Sequence, residues 1–222
     1  MSEVKLKVDY SLYLVTDRKM LREGDLGQSI ELAIQGGVTL VQLREKSVST
    51  REFLELAIRI KEITSRERIP LIINDRLDIA LAVDADGLHI GQDDLPMLKA
   101  RELFPNKLIG VSVSTLAEAL LAQQQGADYL GVGAVFSTST KTDATEVSLE
   151  QLEMIKKLVT IPVVAIGGIN ETNLIQVLAT GIDGVSVVSA ILAKENILMA
   201  AKHLQELIRS ISIFARGNNS LC

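Results

Sequence analysis

Eight short apolar runs separated by helical segments predict that this chain of 222 residues is an α/β protein, a single-domain (β/α)8 TIM barrel. The runs are residues 12–15, 40–43, 70–73, 87–90, 108–111, 129–132, 163–166 and 185–188. They are continuous and rich in β-branched residues, which is typical of parallel strands buried on both faces. A doubly wound open sheet is the alternative, but it more often has about five or six strands.

The segments between the runs carry helix signals. One helix face is visible after the second run, in the apolar residues Phe53, Leu56, Ala57, Ile60 and Ile63. Capping boxes are predicted at three helix starts, by the pairs Ser49 and Glu52, Thr115 and Glu118, and Ser148 and Gln151. Glycines at 36–37, 126 and 181 predict helix ends, each shortly before the next run.

Composition limits the function classes. A net charge of -5 gives no electrostatic footprint for nucleic acid or for an anionic membrane. The single cysteine, Cys222, excludes a disulfide framework and a thiolate metal site within one chain. Residues 1–7 resemble neither a signal peptide nor a membrane span, so we expect a cytoplasmic protein. We predict one domain over 1–214 and a polar, frayed tail over 215–222.

In a barrel of this class the active site lies at the carboxyl ends of the strands, so polar residues that follow each run are the candidates. After the second run, Gln42, Arg44 and Lys46 fall on one side by strand alternation. Two cations and an amide there would bind an anion and orient a polar ring. The alternative is an ordinary charged loop in which Glu45 neutralises a neighbour; we favour the site because Gln42 lies inside an apolar run and needs a partner.

The third and fourth runs are followed by carboxylates. Asn74 and Asp75 follow one, and Asp93 and Asp94 follow the other. Oxygen ligands without cysteine or histidine nearby suit Mg²⁺ bridged to substrate phosphates. The alternative for Asp75, and for one aspartate of the second pair, is a helix cap.

The later runs supply hydroxyls, glycines and a lysine. Ser112 is the predicted inward hydroxyl after the fifth run, since Thr115 is the predicted helix cap. The loop after the sixth run offers anion ligands, although such loops are also ordinary turns, in Thr138, Ser139, Thr140 and Lys141. Backbone N–H groups after the seventh and eighth runs form the predicted phosphate pocket, at Gly168, Val188 and Ser189.

The candidate set contains no evident nucleophile–base pair. His89 is predicted to be a satisfied core histidine and His203 a helix-packing or surface residue, so neither is predicted to be catalytic. The chemistry is therefore predicted to depend on stabilising a leaving group, with Arg44, Lys46, Lys141 and Ser112 as the catalytic residues.

Together these motifs resemble the thiamine phosphate synthase family, also called thiamine-phosphate pyrophosphorylase. The matching segments are YLVTD at 13–17, QLREK at 42–46, NDR at 74–76, DGLHIGQDD at 86–94, TSTK at 138–141, AIGGI at 165–169 and VSAI at 188–191. The resemblance implies a (β/α)8 enzyme that joins 4-amino-5-hydroxymethyl-2-methylpyrimidine pyrophosphate to a (carboxy)thiazole ethyl phosphate. In the family, pyrophosphate leaves with the help of Mg²⁺, and the thiazole nitrogen attacks the resulting pyrimidine methyl cation.

The resemblance also implies roles for individual residues. The implied ligands of the pyrimidine pyrophosphate are Gln42, Arg44, Lys46, Asn74, Ser112 and Lys141. Asp75 and Asp94 would bind Mg²⁺. The implied ligands of the thiazole phosphate are Thr138, Ser139, Thr140, Gly168, Val188 and Ser189. The chain departs from the family pattern, which often has proline where Ala134 and Ser137 stand and histidine near Ser114.

Three other functions are compatible with the fold. A thiazole tautomerase would not need the cations and both carboxylates, a sugar-phosphate epimerase typically has several histidine ligands, and a non-catalytic phosphate sensor could lose the metal carboxylates.

The expected partners are small molecules, without nucleic acid or membrane; homo-oligomer formation, binding order and a thiazole carboxylate stay open. We also expect the loop 134–145 to close over the pyrophosphate.

Overall fold

The computed structural model describes residues 7–138 and 146–218, with side chains through residue 211. Its strands are Leu12–Val15 (β1), Leu40–Leu43 (β2), Leu71–Asn74 (β3), Gly87–Ile90 (β4), Leu108–Val113 (β5), Tyr129–Val132 (β6), Val163–Ile166 (β7) and Gly184–Val187 (β8). They form one closed parallel barrel in chain order, with β1 paired to both β2 and β8. The predicted (β/α)8 barrel is confirmed.

Helices connect the strands around the outside. They are Leu26–Gln35 (α1), Thr50–Arg66 (α2), Leu77–Ala82 (α3), Met97–Leu103 (α4), Leu116–Gln124 (α5), Leu149–Leu158 (α6), Leu174–Leu178 (α7), Ser189–Leu192 (α8) and Ile197–Asn218 (α9), with a short 3-10 helix at Arg18–Met20. No helix in the described part of the chain is both long and apolar enough to cross a bilayer.

Local sequence signals account for the helix boundaries. All three predicted capping boxes are present, at the starts of α2, α5 and α6. Gly37 and Gly126 follow α1 and α5 with φ values of 108° and 92°, a region that glycine enters without steric cost.

Several element boundaries differ from the sequence prediction: β3 and β8 are each displaced by one residue, β5 continues to Val113, and α9 is longer than expected. β3 begins at Leu71 rather than at position 70, because Pro70 has no N–H and joins the ladder through its carbonyl alone, which accepts from Val41 N at 3.2 Å. α9 extends to Asn218, so residues 215–218 of the predicted tail are helical; residues 219–222 lie outside the described part of the chain. The division into a barrel domain and a tail stays a prediction.

The strand register places inward-facing residues in layers of four, each contributed by alternate strands. A lower layer from the odd strands consists of Tyr13, Ile72, Gly110 and Val164. The floor layer, from the even strands, lies directly above it and consists of Gln42, His89, Gly131 and Ser186. The layer above the floor consists of Val15, Asn74, Ser112 and Ile166. The barrel interior therefore changes from mainly apolar to polar towards the carboxyl ends of the strands.

Glycines in the strands make room for the interior aromatic side chains. A Cβ on Gly110 would lie 2.1 Å from Cζ of Tyr129, and one on Gly131 would lie 3.0 Å from Cε1 of His89. These two positions therefore let Tyr129 and His89 fill the barrel axis just below the carboxyl ends of the strands.

Candidate active site

A cavity of about 300 Å³ opens at the carboxyl ends of the strands. The predicted site residues that line it are Gln42, Arg44, Lys46, Asn74, Asp75, Asp94, Ser112, Thr138, Gly168, Val188 and Ser189. Three further predicted residues, Ser139, Thr140 and Lys141, lie outside the described residues, as does most of the loop 134–145 that is expected to close. The fold thus gathers every described candidate in one cavity, while their ligand roles stay predictions.

The segment after β2 forms a cationic wall. The Arg44 backbone N–H donates to Thr16 Oγ1 at 3.0 Å, and the Arg44 guanidinium lies 3.7 Å from Asp17 Oδ2. Lys46 forms an ion pair with Asp75. Glu45 pairs with Arg18 instead, at 2.7 Å between Oε1 and Nε. Glu45 therefore pairs with Arg18 and not with Arg44 or Lys46, both of which line the cavity.

A pair of carboxylates lies beside this wall. Asp75 has a φ of 60°, and its N–H donates to the carbonyl of His89 at 2.8 Å, which ties the end of β3 to β4. Asp94 Oδ2 accepts from Gly91 N at 2.7 Å. The alternative role of Asp75 as a helix cap is wrong, because Arg76 is the N-cap of α3 and makes no side-chain cap.

Burial raises the pKa of Asp75 above its usual range; the hydrogen bond from Lys46 opposes the rise, and the neighbouring Asp94 adds to it. Two carboxylates that repel each other suit a hard divalent cation. In the described ranges no group of three or more acidic, histidine or cysteine side chains could hold a metal. A cation here would therefore take its remaining ligands from substrate and water.

The cavity floor rests on a continuous hydrogen-bonded chain of side chains, the floor network. Gln42 Nε2 donates to Tyr13 OH at 2.7 Å, and the hydroxyls of Tyr13 and Tyr129 are 2.9 Å apart. Tyr129 OH is 3.0 Å from His89 Nδ1, and His89 Nε2 is 2.9 Å from Ser112 Oγ. The expected partner of Gln42 is thus Tyr13, and the network fixes the orientation of Ser112 at its far end.

His89 has a larger part in the site than the sequence indicated. Both of its ring nitrogens are bonded, as predicted for a satisfied core histidine, but it also lines the cavity and contacts Ser112. Its pairing with Gly110, two residues before Ser112 on β5, brings the two side chains together. That register is a tertiary feature, so strand-end reasoning missed the contact. Gln92, also missed, donates to the Ser112 carbonyl at 2.7 Å.

The opposite wall is built from backbone after β7 and β8. The Gly168 carbonyl accepts from Asn173 Nδ2 at 2.9 Å and from Asn170 Nδ2 at 3.2 Å, which fixes the peptide that lines the cavity. A Cβ on Gly168 would lie 2.7 Å from the Ser137 carbonyl, so this close approach requires glycine. Val188 and Ser189 lie where β8 passes into α8.

One more residue on this wall was missed from the sequence. Ser186 lies on β8, lines the cavity and is 3% exposed. Like Gln42, Ser186 is a polar residue inside an apolar run, and this signal in the sequence could have identified it.

The chain is similar to known proteins over most of its length. A family model described as thiamine monophosphate synthase matches residues 12–191. The thiamine-phosphate synthase of Clostridium acetobutylicum is 59% identical over 206 residues, which are 92% of this chain and 98% of that protein. That of Alkaliphilus oremlandii is 56% identical over 203 residues, 91% of this chain and 97% of the relative.

The chain is also similar to a solved structure over most of its length. The thiamine phosphate pyrophosphorylase of Pyrococcus furiosus superposes with a TM-score of 0.86 at 42% identity, covering 91% of this chain and 97% of that one. Sequence and fold agree, and the chain belongs to the thiamine monophosphate synthase family.

Proposed function

We propose that this protein is a thiamine phosphate synthase. It would transfer the aminopyrimidinylmethyl group of 4-amino-5-hydroxymethyl-2-methylpyrimidine pyrophosphate to the ring nitrogen of a thiazole ethyl phosphate, with pyrophosphate as the second product. The observation that carries the proposal is that two carboxylates, Asp75 and Asp94, and two cations, Arg44 and Lys46, line the same side of a single cavity.

The two walls suit the two anionic groups of the substrates. The wall from β2 to β4 has the cations and carboxylates that a pyrophosphate and its metal need. The wall from β7 and β8 offers backbone at Gly168, Val188 and Ser189, which suits the single phosphate of the thiazole. The rings of both substrates then point towards the floor layer, where the new C–N bond forms.

Asp75 and Asp94 would hold Mg²⁺, whose charge stabilises the departing pyrophosphate. Arg44 and Lys46 neutralise the charge that develops on the same oxygens, and Lys141 is predicted to join them. Ser112, oriented by His89, would hold the pyrimidine while its bond to oxygen breaks. The thiazole nitrogen attacks with its own lone pair, so the bond-forming step needs no general base.

Pyrophosphate release by the purified protein tests this proposal. We expect release to require both substrates and Mg²⁺, and we expect Asp75→Ala to lower kcat/KM by about a hundredfold or more, since metal-assisted charge stabilisation is worth several kcal/mol. Asp78→Ala is the matched control, because Asp78 is a nearby carboxylate that pairs with Arg76 and lies outside the cavity lining. Thiazole phosphate binding without pyrophosphate release would contradict the synthase activity and favour the tautomerase.

A further inference from the structure

Ser186, in the floor layer of the cavity, has a buried hydroxyl without a hydrogen-bond partner among the described residues. Its side-chain oxygen is shielded from solvent and forms no hydrogen bond with any described residue. Buried hydroxyls are nearly always hydrogen-bonded, because leaving one unsatisfied costs about 1–3 kcal/mol. A group of this kind in a cavity wall indicates that a ligand completes its hydrogen bonding.

The surroundings of Ser186 support this. Of the four positions in the floor layer, Gln42 and His89 are already bonded within the floor network, and Gly131 has no side chain. Ser186 is the member of the layer whose buried side-chain oxygen has no hydrogen-bond partner among the described residues. Its χ1 has three staggered wells, so the hydroxyl can turn towards a bound ring with little strain.

We propose that the Ser186 hydroxyl recognises the polar edge of the pyrimidine ring and so contributes to substrate specificity; this inference rests on the proposed synthase activity. The chemistry of the two rings decides between them. The aminopyrimidine has an exocyclic amine and two ring nitrogens that stay available during the reaction. The thiazole ring has one strong acceptor, its nitrogen, and a hydroxyl donating to that nitrogen would block the lone pair that attacks.

The depth of Ser186 fits the same assignment. The proposed ligands of the anionic groups lie at the rim, one layer or more above Ser186, so a group in the floor layer would meet a ring rather than a phosphate. Gln42 and His89 make the rest of this layer polar, which suits a ring with several nitrogen atoms better than a thiazole. Ser186 therefore forms a hydrogen bond with the pyrimidine ring, while the cationic wall binds the pyrophosphate.

Binding measurements on Ser186→Ala test the proposal with three separate probes in the presence of Mg²⁺: the pyrimidine pyrophosphate, inorganic pyrophosphate and the thiazole phosphate. We expect the Kd of the pyrimidine pyrophosphate to rise about tenfold, as for the loss of one hydrogen bond to a desolvated ligand. The Kd values of the other two probes should stay within about twofold of wild type. The variant should fold as well as wild type, because no described residue forms a hydrogen bond with the lost hydroxyl.

Ser11→Ala is the matched control. Its hydroxyl is also buried without a partner, but Ser11 lies outside the cavity lining, so all three Kd values should stay unchanged. Unaltered affinity of Ser186→Ala for all three probes would overturn the proposal, and weaker binding of the thiazole phosphate would overturn the choice of ring. Because these are equilibrium measurements, they remain interpretable even if wild-type protein binds both substrates without releasing pyrophosphate, the result that would defeat the proposed function instead.

Discussion

Asp75 lies between a cation, Lys46, and a second carboxylate, Asp94, and burial raises its pKa above the usual range for aspartate. A carboxyl group with a higher pKa in the folded protein favours its protonated form there. Its contribution to stability is therefore present at acidic pH and is lost as the pH rises from the unfolded-state value of about 3.9 through the raised folded value. At neutral pH the metal-free site holds a charge that costs stability.

We therefore expect Asp75→Asn to raise the Tm of the metal-free protein at pH 7 by about 2–4 °C, for a gain of roughly 1 kcal/mol, while abolishing pyrophosphate release. The difference in Tm should shrink as the pH falls and the wild-type carboxyl becomes protonated. Added Mg²⁺ should raise the Tm of wild type and leave the variant unchanged. A lower Tm for Asp75→Asn at pH 7 would mean that the ion pair with Lys46 outweighs burial and repulsion.

A second residue, Tyr129, joins the two halves of the floor network. Its hydroxyl bridges Tyr13 and His89, so Tyr129→Phe removes the partner of two buried polar groups at once. We expect a loss of about 1–3 kcal/mol in the free energy of unfolding, or roughly 2–10 °C in Tm. Activity should fall too, because His89 loses a hydrogen bond that helps to orient it against Ser112.

Tyr10→Phe is the control for this prediction. The Tyr10 ring packs 5.0 Å from that of Tyr129, but its hydroxyl is not part of the floor network. We expect its effect on the Tm to stay within about 2 °C, since surroundings and volume are unchanged. Equal losses in the two variants would show that packing of the phenol, and not the bridge, stabilises the floor.

Strand β5 needs a glycine at position 110. A side chain at Gly110 would overlap the Tyr129 ring, at 2.1 Å from Cζ and 2.5 Å from Cε1. Both strands are held in the ladder from both sides, so neither can move away. We expect Gly110→Ala to destabilise the protein by about 3 kcal/mol, the upper end for overpacking, and to lower the Tm by about 6 °C or more.

Gly126→Ala is the comparison, because a Cβ there meets no atom within 4 Å and costs only the strain of a φ of 92°, about 1–2 kcal/mol. Combining Gly110→Ala with Tyr129→Leu, which removes the ring, should recover part of the lost stability. Additive losses in a double-mutant cycle by thermal unfolding would contradict the overlap as the cause.

The elements also show which features the sequence can predict. Strands buried on both faces are continuous apolar runs, and a capping box is a local contact over three residues, so both are readable along the chain. The described candidates at the carboxyl ends of the strands do line the cavity, since the end of a strand can be located once the strand is predicted. The hydrogen bonds of the floor network were not predicted, because a contact such as that of His89 with Ser112 depends on which strands are neighbours and in what register they pair. The start of β3 after Pro70 and the end of α9 at Asn218 were not predicted either.

At the scale of the whole molecule, the barrel interior holds all three tyrosines of the chain, Tyr10, Tyr13 and Tyr129. Burial raises the pKa of each above its usual value, and in Tyr10 the carboxylates of Asp128 and Asp183 add to the rise. Tyrosine ionisation therefore reports on the integrity of the closed barrel, because β1 and β6 must both be in place to shield these rings.

The direction in which stability changes with pH follows from the raised pKa values of the tyrosines. A tyrosine with a higher pKa in the folded state contributes stability that is complete below the unfolded-state value, about 10, and that is lost as the pH rises further. Each shielded tyrosine should cost about 1.4 kcal/mol per pH unit in that range, so three should cost about 4 kcal/mol per unit. The protein should then unfold in one steep alkaline step.

We expect a titration followed at 295 nm to show almost no tyrosinate in the folded protein at pH 10.5, and all three groups to ionise together with the loss of far-ultraviolet circular dichroism. Tyr10→Phe should reduce the amplitude by a third and keep the two signals coincident. Separate ionisation near pH 10 with the helical signal intact would show that the barrel opens around β1 before the helices unfold. Coincidence would establish that the strands, the floor network and the outer helices form one cooperative unit, because all three tyrosines stay shielded until the helices are lost.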